Sequence, residues 1–213
     1  MTIKWFGHSC FLINNSLVID PYRDGSVPGY APLRLTADKV VCTHEHADHA
    51  GRECVTLSGK DCNLLISEVA SWHDDQQGAL RGPNTIYIIS DGAEKLVHLG
   101  DLGHFPNDEQ LAAIAGADYL LIPVGGHYTI DAAMAAKICE AAQPKQIIPM
   151  HYRWGEHGYA EIGELDAFLE EIKKPRSLRT WPYKNYKEIR FYSAKTRPAE
   201  RSRSIGPAFL PSL

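Results

Sequence analysis

A chain of 213 residues, 44% hydrophobic and 23% charged, is long enough to bury the core of one domain without disulfide staples. Its net charge of -4 argues against the basic footprint of a nucleic-acid binder and the polybasic anchor of a membrane-surface protein. Five scattered cysteines (Cys10, Cys42, Cys54, Cys62 and Cys139), never in a Cys-x-x-Cys pair, point to reduced thiols, with Cys42 expected in strand core. No apolar run approaches the roughly 20 residues of a membrane span. The stretch from Met1 to His8 lacks the apolar centre and cleavage site of a signal peptide, so the expected location is the cytoplasm.

In chain order, Ile3 to Phe6, Cys10 to Asn14 and Ser16 to Asp20 predict short strands, with Asn14-Asn15 turning between the last two. Residues 21–36 carry Pro21, Gly25, Pro28, Gly29 and Pro32 and predict a loop, long enough to be a lid or a pocket wall. Val40 to Cys42 and Asn63 to Ile66 predict strands, and the polar stretch from Ser71 to Pro83 a loop. Asn84 to Ser90 and Glu94 to Leu99 predict a hairpin turned at Asp91-Gly92. Asn107 with Gln110 has the spacing of a capping box opening a short helix. Asp118 to Val124 predicts a buried strand, and Thr129 caps an expected helix from Ile130 to Ala142. A strand over Gln146 to Met150, an amphipathic helix over Glu161 to Ile172 and a last strand over Glu188 to Tyr192 complete the reading. Strands that cluster and then alternate with helices predict an α/β protein, with residues 1–193 as one domain and 194–213 as a solvated tail.

The chemistry concentrates in Thr43-His44-Glu45-His46-Ala47-Asp48-His49, directly after a β-branched run. In an extended segment, residues two apart share a side, so His44 and His46 can face one ion while Glu45 turns away. Asp48 and His49 follow where the chain should bend and can aim at a neighbouring ion; imidazole and carboxylate suit zinc, iron or manganese. His73, Asp101 and His151 each lie in or near an expected loop next to a strand end, where α/β proteins gather ligand-binding groups. Two ions need about seven protein ligands including a bridging carboxylate, and these residues supply that number.

With these motifs, and with Trp5-Phe6-Gly7-His8-Ser9-Cys10, Ile19-Asp20-Pro21, His98-Leu99-Gly100-Asp101, Pro123-Val124-Gly125-Gly126-His127 and Pro149-Met150-His151, the sequence resembles the metallo-β-lactamase-fold hydrolase superfamily. It is most similar to its small metal-dependent hydrolase branch, related to ascorbate-6-phosphate lactonase and to N-acyl-phosphatidylethanolamine phospholipase D. The resemblance covers residues 3–155 and implies a four-layer αββα sandwich with two divalent ions at one edge of the sheets. It implies one ion held by His44, His46 and His73, a second by Asp48, His49 and His151, and Asp101 between them. His98 competes with His73 for the third place on the first ion.

The chemistry of paired ions then predicts a dinuclear hydrolase in which a metal-held hydroxide attacks a small phosphoester or lactone. Asp48 orients that hydroxide, and His127 donates a hydrogen bond or proton to the leaving oxygen. Tyr128, Arg81 and Arg153 join His127 as substrate-binding candidates. His8, His104 and Asp74 are expected to brace the ligands or the pocket. A mononuclear iron dioxygenase built on His44, His46 and Asp101 or His73 is the alternative, and a metal-binding protein without turnover a third; a one-ion enzyme has no use for Asp48, His49 and His151 as ligands. The expected partner is a small-molecule substrate, with neither nucleic acid nor membrane, in a chain that can form homo-oligomers.

Overall fold

The computed structural model describes residues 1–173; the expected strand over 188–192 and the tail over 194–213 lie outside them. The first sheet has the order β1 (Ile3–Gly7), β2 (Cys10–Ile13), β3 (Leu17–Ile19), β5 (Lys39–Val41), antiparallel except for the β3–β5 pair. Asn14 and Asn15 both take positive φ, 49° and 54°, as a two-residue hairpin turn demands and asparagine tolerates. A second sheet of five strands runs β11 (Gln146–Met150), β10 (Tyr119–Pro123), β9 (Lys95–His98), β8 (Pro83–Ser90), β7 (Leu65–Trp72). Its β9–β10–β11 half is parallel and its β7–β8–β9 half antiparallel.

Alternation along β2 and β3 divides the interior in two. Phe11, Ile13, Leu17 and Ile19 face the main core, which also takes Ile86, Ile89, Leu96 and the buried run of β10. Cys10, Leu12 and Val18 point the other way and pack on Tyr22, Val27, Leu33 and Leu35. The helices α1 (Asp108–Ile114), α2 (Ala132–Ala142) and α3 (Leu165–Lys173) follow β9, β10 and β11 and pack Ile114, Ile138 and Phe168 into the main core. The four layers are therefore helices, sheet, sheet, and an outer layer made by the Pro21–Arg34 loop with the two-stranded ribbon β4 (Leu35–Ala37) and β6 (Val55–Leu57). That ribbon falls partly inside the stretch expected to be loop.

Two local expectations shift. The helix α2 begins at Ala132, capped by the Asp131 side chain accepting from Met134 N, while Thr129 Oγ1 donates to the Ile130 carbonyl. Strand β7 runs on to Trp72, so only residues 73–82 form the loop before β8. The capping box of α1 is present, with Gln110 N donating to Asn107 Oδ1 at 2.9 Å and Asn107 N to Gln110 Oε1 at 3.0 Å. Asn107→Ala should therefore lower stability by about 1 kcal/mol in chemical denaturation.

Candidate metal centre

Every expected ligand sits just beyond a strand end on one side of the two sheets. After β5 the chain bends, with the amides of His49 and Ala50 both donating to the His46 carbonyl. That turn separates His44 and His46 from Asp48 and His49, while Glu45 points outward and pairs with Arg52 at 2.6 Å. His73 follows β7, Asp101 follows β9 and His151 follows β11. His8 comes from the bend between β1 and β2.

The side chains converge on Asp101, which is 1% exposed. Its Oδ2 lies 3.1 Å from His49 Nε2, 3.2 Å from His73 Nε2, 3.2 Å from His151 Nε2 and 3.9 Å from His44 Nε2. Candidate donor atoms fall into three overlapping groups: His44, His46 and His73; His8, Asp48, His49 and His151; and His44, His49 and Asp101. The nitrogens His44 Nε2, His49 Nε2 and His151 Nε2 and the oxygen Asp101 Oδ1 are buried without a hydrogen-bond partner. Orphaned polar atoms of this kind are costly, and so many donors aimed at one place fit divalent cations between them.

Sequence reasoning left Asp20 without a role, and it proves central. Fully buried at the end of β3, its carboxylate accepts from Thr43 N at 2.7 Å, Thr43 Oγ1 at 2.7 Å and His49 Nδ1 at 2.8 Å. Thr43 Oγ1 has one proton to give and gives it to Asp20, so His44 Nδ1, 3.0 Å away, donates to the hydroxyl. One carboxylate thus keeps a proton on Nδ1 of two imidazoles and turns each Nε2 toward the centre, where a cation would take its lone pair, displacing the second proton that His49 carries without metal. Asn84 does the same for Asp101, its Oδ1 accepting from Asp101 N while its amide donates to Ser71 Oγ and the Leu99 carbonyl. The signal for Asp20 was an acid abutting an apolar strand; Asn84 gave none.

Electrostatics follow from crowding. Burial lowers His44 to about 3 and His8 to about 4, so both rings are neutral at pH 7. Burial would lower His49 too, but Asp101, Asp20 and Asp48 outweigh it and hold that ring well above the usual histidine range. Burial would raise Asp101 and Asp48; the neighbouring imidazoles, His151 and His49 for the first and His49 and His8 for the second, keep both well below the usual carboxylate range. His8, Asp20 and His151 adopt φ of 50°, 48° and 52°, a left-handed conformation costing about 1–3 kcal/mol each outside glycine, and such strain gathers at functional sites.

The remaining candidates are spread unevenly. His98 is buried and fully engaged, Nε2 on the Ser9 carbonyl and Nδ1 accepting from Gly100 N, and lies outside the donor groups. His8 Nε2 is 3.2 Å from Asp48 Oδ2 and braces that carboxylate. His104 Nε2 accepts from Trp72 N, one residue before His73. Asp74 meets no arginine side chain among the described residues; its carboxylate accepts from the amides of Gln76, Gly78, Leu80 and Arg81 and shapes the loop. Arg153 pairs with Glu164 at 2.6 Å, and His127 is exposed with its ring against Tyr128; neither lines the cavity over the centre. That cavity, about 330 Å³, is lined by His46, Asp48, His73, Asp101 and His151 with Arg81, Tyr128 and Tyr159. Tyr159, from a segment with no recognisable pattern, was not foreseen.

The His73 loop seats on Gly103, where a Cβ would collide with the backbone of His73 and Asp74. Gly103→Ala should cost about 1–3 kcal/mol in denaturation and weaken metal uptake by displacing His73; wild-type metal affinity in this variant would separate the loop seat from the site.

Comparison with known proteins bears on this geometry. A family model described as beta-lactamase superfamily domain matches residues 2–151. A UPF0173 metal-dependent hydrolase of Carboxydothermus hydrogenoformans is 30% identical, over 78% of this chain and 90% of its own length. One from Thermoplasma acidophilum is 26% identical over 82% and 97%. Among solved structures, a metallo-beta-lactamase superfamily protein of Thermotoga maritima superposes with a TM-score of 0.62 at 30% identity, covering 81% of this chain and 86% of its own. Igni18, a metallo hydrolase from Ignicoccus hospitalis, gives 0.61 at 21% identity over 80% and 89%, a likeness of fold. The two stacked sheets with helices against one of them, the donor cluster at the sheet edge and these matches agree: the chain belongs to the beta-lactamase superfamily, among its UPF0173 metal-dependent hydrolases.

Proposed function

We propose that this protein is a dinuclear metal-dependent hydrolase acting on a small phosphoester or lactone. One observation carries the reading: a single oxygen, Asp101 Oδ2, stands within 3.1–3.2 Å of His49, His73 and His151, donors from both expected ligand sets. A one-ion site would leave the buried His49 Nε2 and His151 Nε2, both without a hydrogen-bond partner, aimed at nothing, against the cost of unpaired polar atoms. His44, His46 and His73 would hold one cation, Asp48, His49 and His151 the other, and Asp101 would serve both. Zinc suits this imidazole-rich set best, with manganese or iron as competitors.

Divalent cations so held supply Lewis acidity toward the scissile group and acidify water. The chain's own groups do the rest. Asp48, kept anionic by His49 and His8, accepts a hydrogen bond from the attacking water and orients it. Burial raises the Tyr159 hydroxyl well above the usual tyrosine range, so it stays protonated beside Asp48 and donates to the Ser26 carbonyl at 2.9 Å. Tyr128 and Tyr159 narrow the cavity and limit bulk water. His127, exposed with its ring edge-on to Tyr128, would serve as proton donor only to a leaving oxygen that projects beyond the cavity lining. Metal analysis together with a panel of phosphomonoesters, phosphodiesters, lactones and thioesters tests the reading. About two ions per chain and turnover of one class are expected; one iron per chain with no hydrolysis would sink it.

A further inference from the structure

The loop that carries His73 also carries an arginine with no acid to answer it among the described residues. Of the arginines among the described residues, Arg23, Arg34, Arg52 and Arg153 pair with Glu53, Asp24, Glu45 and Glu164 at 3.5, 2.7, 2.6 and 2.6 Å. Arg81 pairs with no carboxylate among the described residues, although it is half-buried and lines the cavity. Its guanidinium gives one long hydrogen bond, Nη2 to the His127 carbonyl at 3.3 Å, out of five N–H groups. The guanidinium carbon lies 5.8 Å from the centre of the Tyr128 ring, close enough for the ring face to hold it in place.

The loop fixes Arg81 at its root. Asp74 takes the Arg81 amide at 2.8 Å along with three others, Gly82 N donates to Gly78 O, and His73 N donates to Gly82 O at 3.1 Å. His73 and Arg81 are thus the two ends of one closed clasp, and both open into the same cavity of about 330 Å³. A planar fork with most of its donors free, beside a cavity whose polar groups are histidines, aspartates and tyrosines, matches a carboxylate or a phosphate group.

We propose that Arg81 anchors a fixed negative charge on the substrate, a carboxylate or phosphate separate from the bond that is cleaved. This rests on the hydrolase reading above and narrows its substrate class to small anionic molecules with two polar ends: one at Asp101, one at Arg81. Arg81 makes no contact with the reacting atoms in this scheme; it selects and positions.

Two arms test it. In the first, zinc-loaded wild type, Arg81→Gln and Arg81→Lys are compared on mono-4-nitrophenyl glutarate and on neutral 4-nitrophenyl butyrate. Wild type should prefer the charged ester, and the ratio of kcat/KM values should fall about 10- to 100-fold in Arg81→Gln, mainly through KM, with Arg81→Lys between. No preference in wild type, or both esters slowed equally by Arg81→Gln, overturns the proposal. The second arm is calorimetric titration of the same proteins with glutarate, 4-phosphonobutyrate and butyrate. Tighter binding of either dianion than of butyrate, lost by about 10-fold or more in Arg81→Gln, supports it, and the tighter of the two names the charge. Dianion affinity unchanged in Arg81→Gln, or no dianion binding to wild type, overturns it. If neither ester turns over, the substrate panel above judges the hydrolase reading and the calorimetric arm decides on Arg81.

Discussion

Asp101→Ala is expected to reduce bound metal from about two ions per chain to one or fewer and to cut hydrolysis by at least about 10³-fold. The carboxylate Oδ2 stands 3.1–3.9 Å from four imidazoles, drawn from both of the proposed ligand sets. Without it, each set keeps three side chains but nothing neutralises the charge between them. The metal-free variant should also be less stable, by about 2 kcal/mol, because the buried His49 ring loses one of the carboxylates that hold it charged. Asp20 at 2.8 Å and Asp48 at 3.7 Å remain and keep the loss below that of a stranded charge. Metal counts by plasma emission, and thermal denaturation with and without chelator, separate these effects. Full activity at unchanged metal content would remove Asp101 from the site.

Asp20→Asn should weaken zinc binding about 10- to 100-fold although Asp20 contacts no ion and every ligand remains. The amide is nearly the same shape, but one of its two heads becomes a donor. Oδ2 now accepts from both Thr43 Oγ1 and His49 Nδ1; an NH₂ there would set donor against donor. Relief comes by turning the His49 ring or shifting its proton to Nε2, and either change removes the lone pair that faces the centre. His44 suffers indirectly, since Thr43 Oγ1 would lose the acceptor that fixes its own orientation. Competition against a chromophoric chelator gives the affinity. Unchanged zinc affinity would show that the imidazoles orient themselves.

Much of this arrangement was legible in the chain because its cause is local. The apolar runs Leu17–Ile19 and Tyr119–Pro123 are buried along their length, and the turn at Asn14-Asn15 and the box at Asn107 and Gln110 depend on neighbours alone. The donor residues were visible for the same reason: few purposes other than ligation account for His44, His46, Asp48 and His49 so close together. What escaped depends on tertiary contact. The three-residue strands Leu35–Ala37 and Val55–Leu57 exist only because each supplies the other's ladder. Thr129 and Asp131 are both good caps two positions apart, and packing chose the second. His98 and His73 could not be ranked until one was seen bonded to Ser9 and Gly100 and the other open toward Asp101. Asp20 reads like any acid before a proline, and its role appears only when residues 43 and 49 fold onto it.

The segment between β3 and β4 was expected as a lid or a pocket wall, yet none of its residues lines the cavity; it stands behind Tyr159, whose hydroxyl donates to the Ser26 carbonyl. Tyr22 is buried with its hydroxyl donating toward the carbonyls of Phe6 and Ala31, Val27 and Leu33 are core, and Pro28 accepts from Gly158 N one residue before Tyr159. A stretch nailed down at both flanks has no second resting place to swing into. Turnover in such an enzyme would not wait on this stretch: it backs Tyr159 as a fixed brace, so a molecule too broad for the space beside that ring is refused at the door rather than after an embrace.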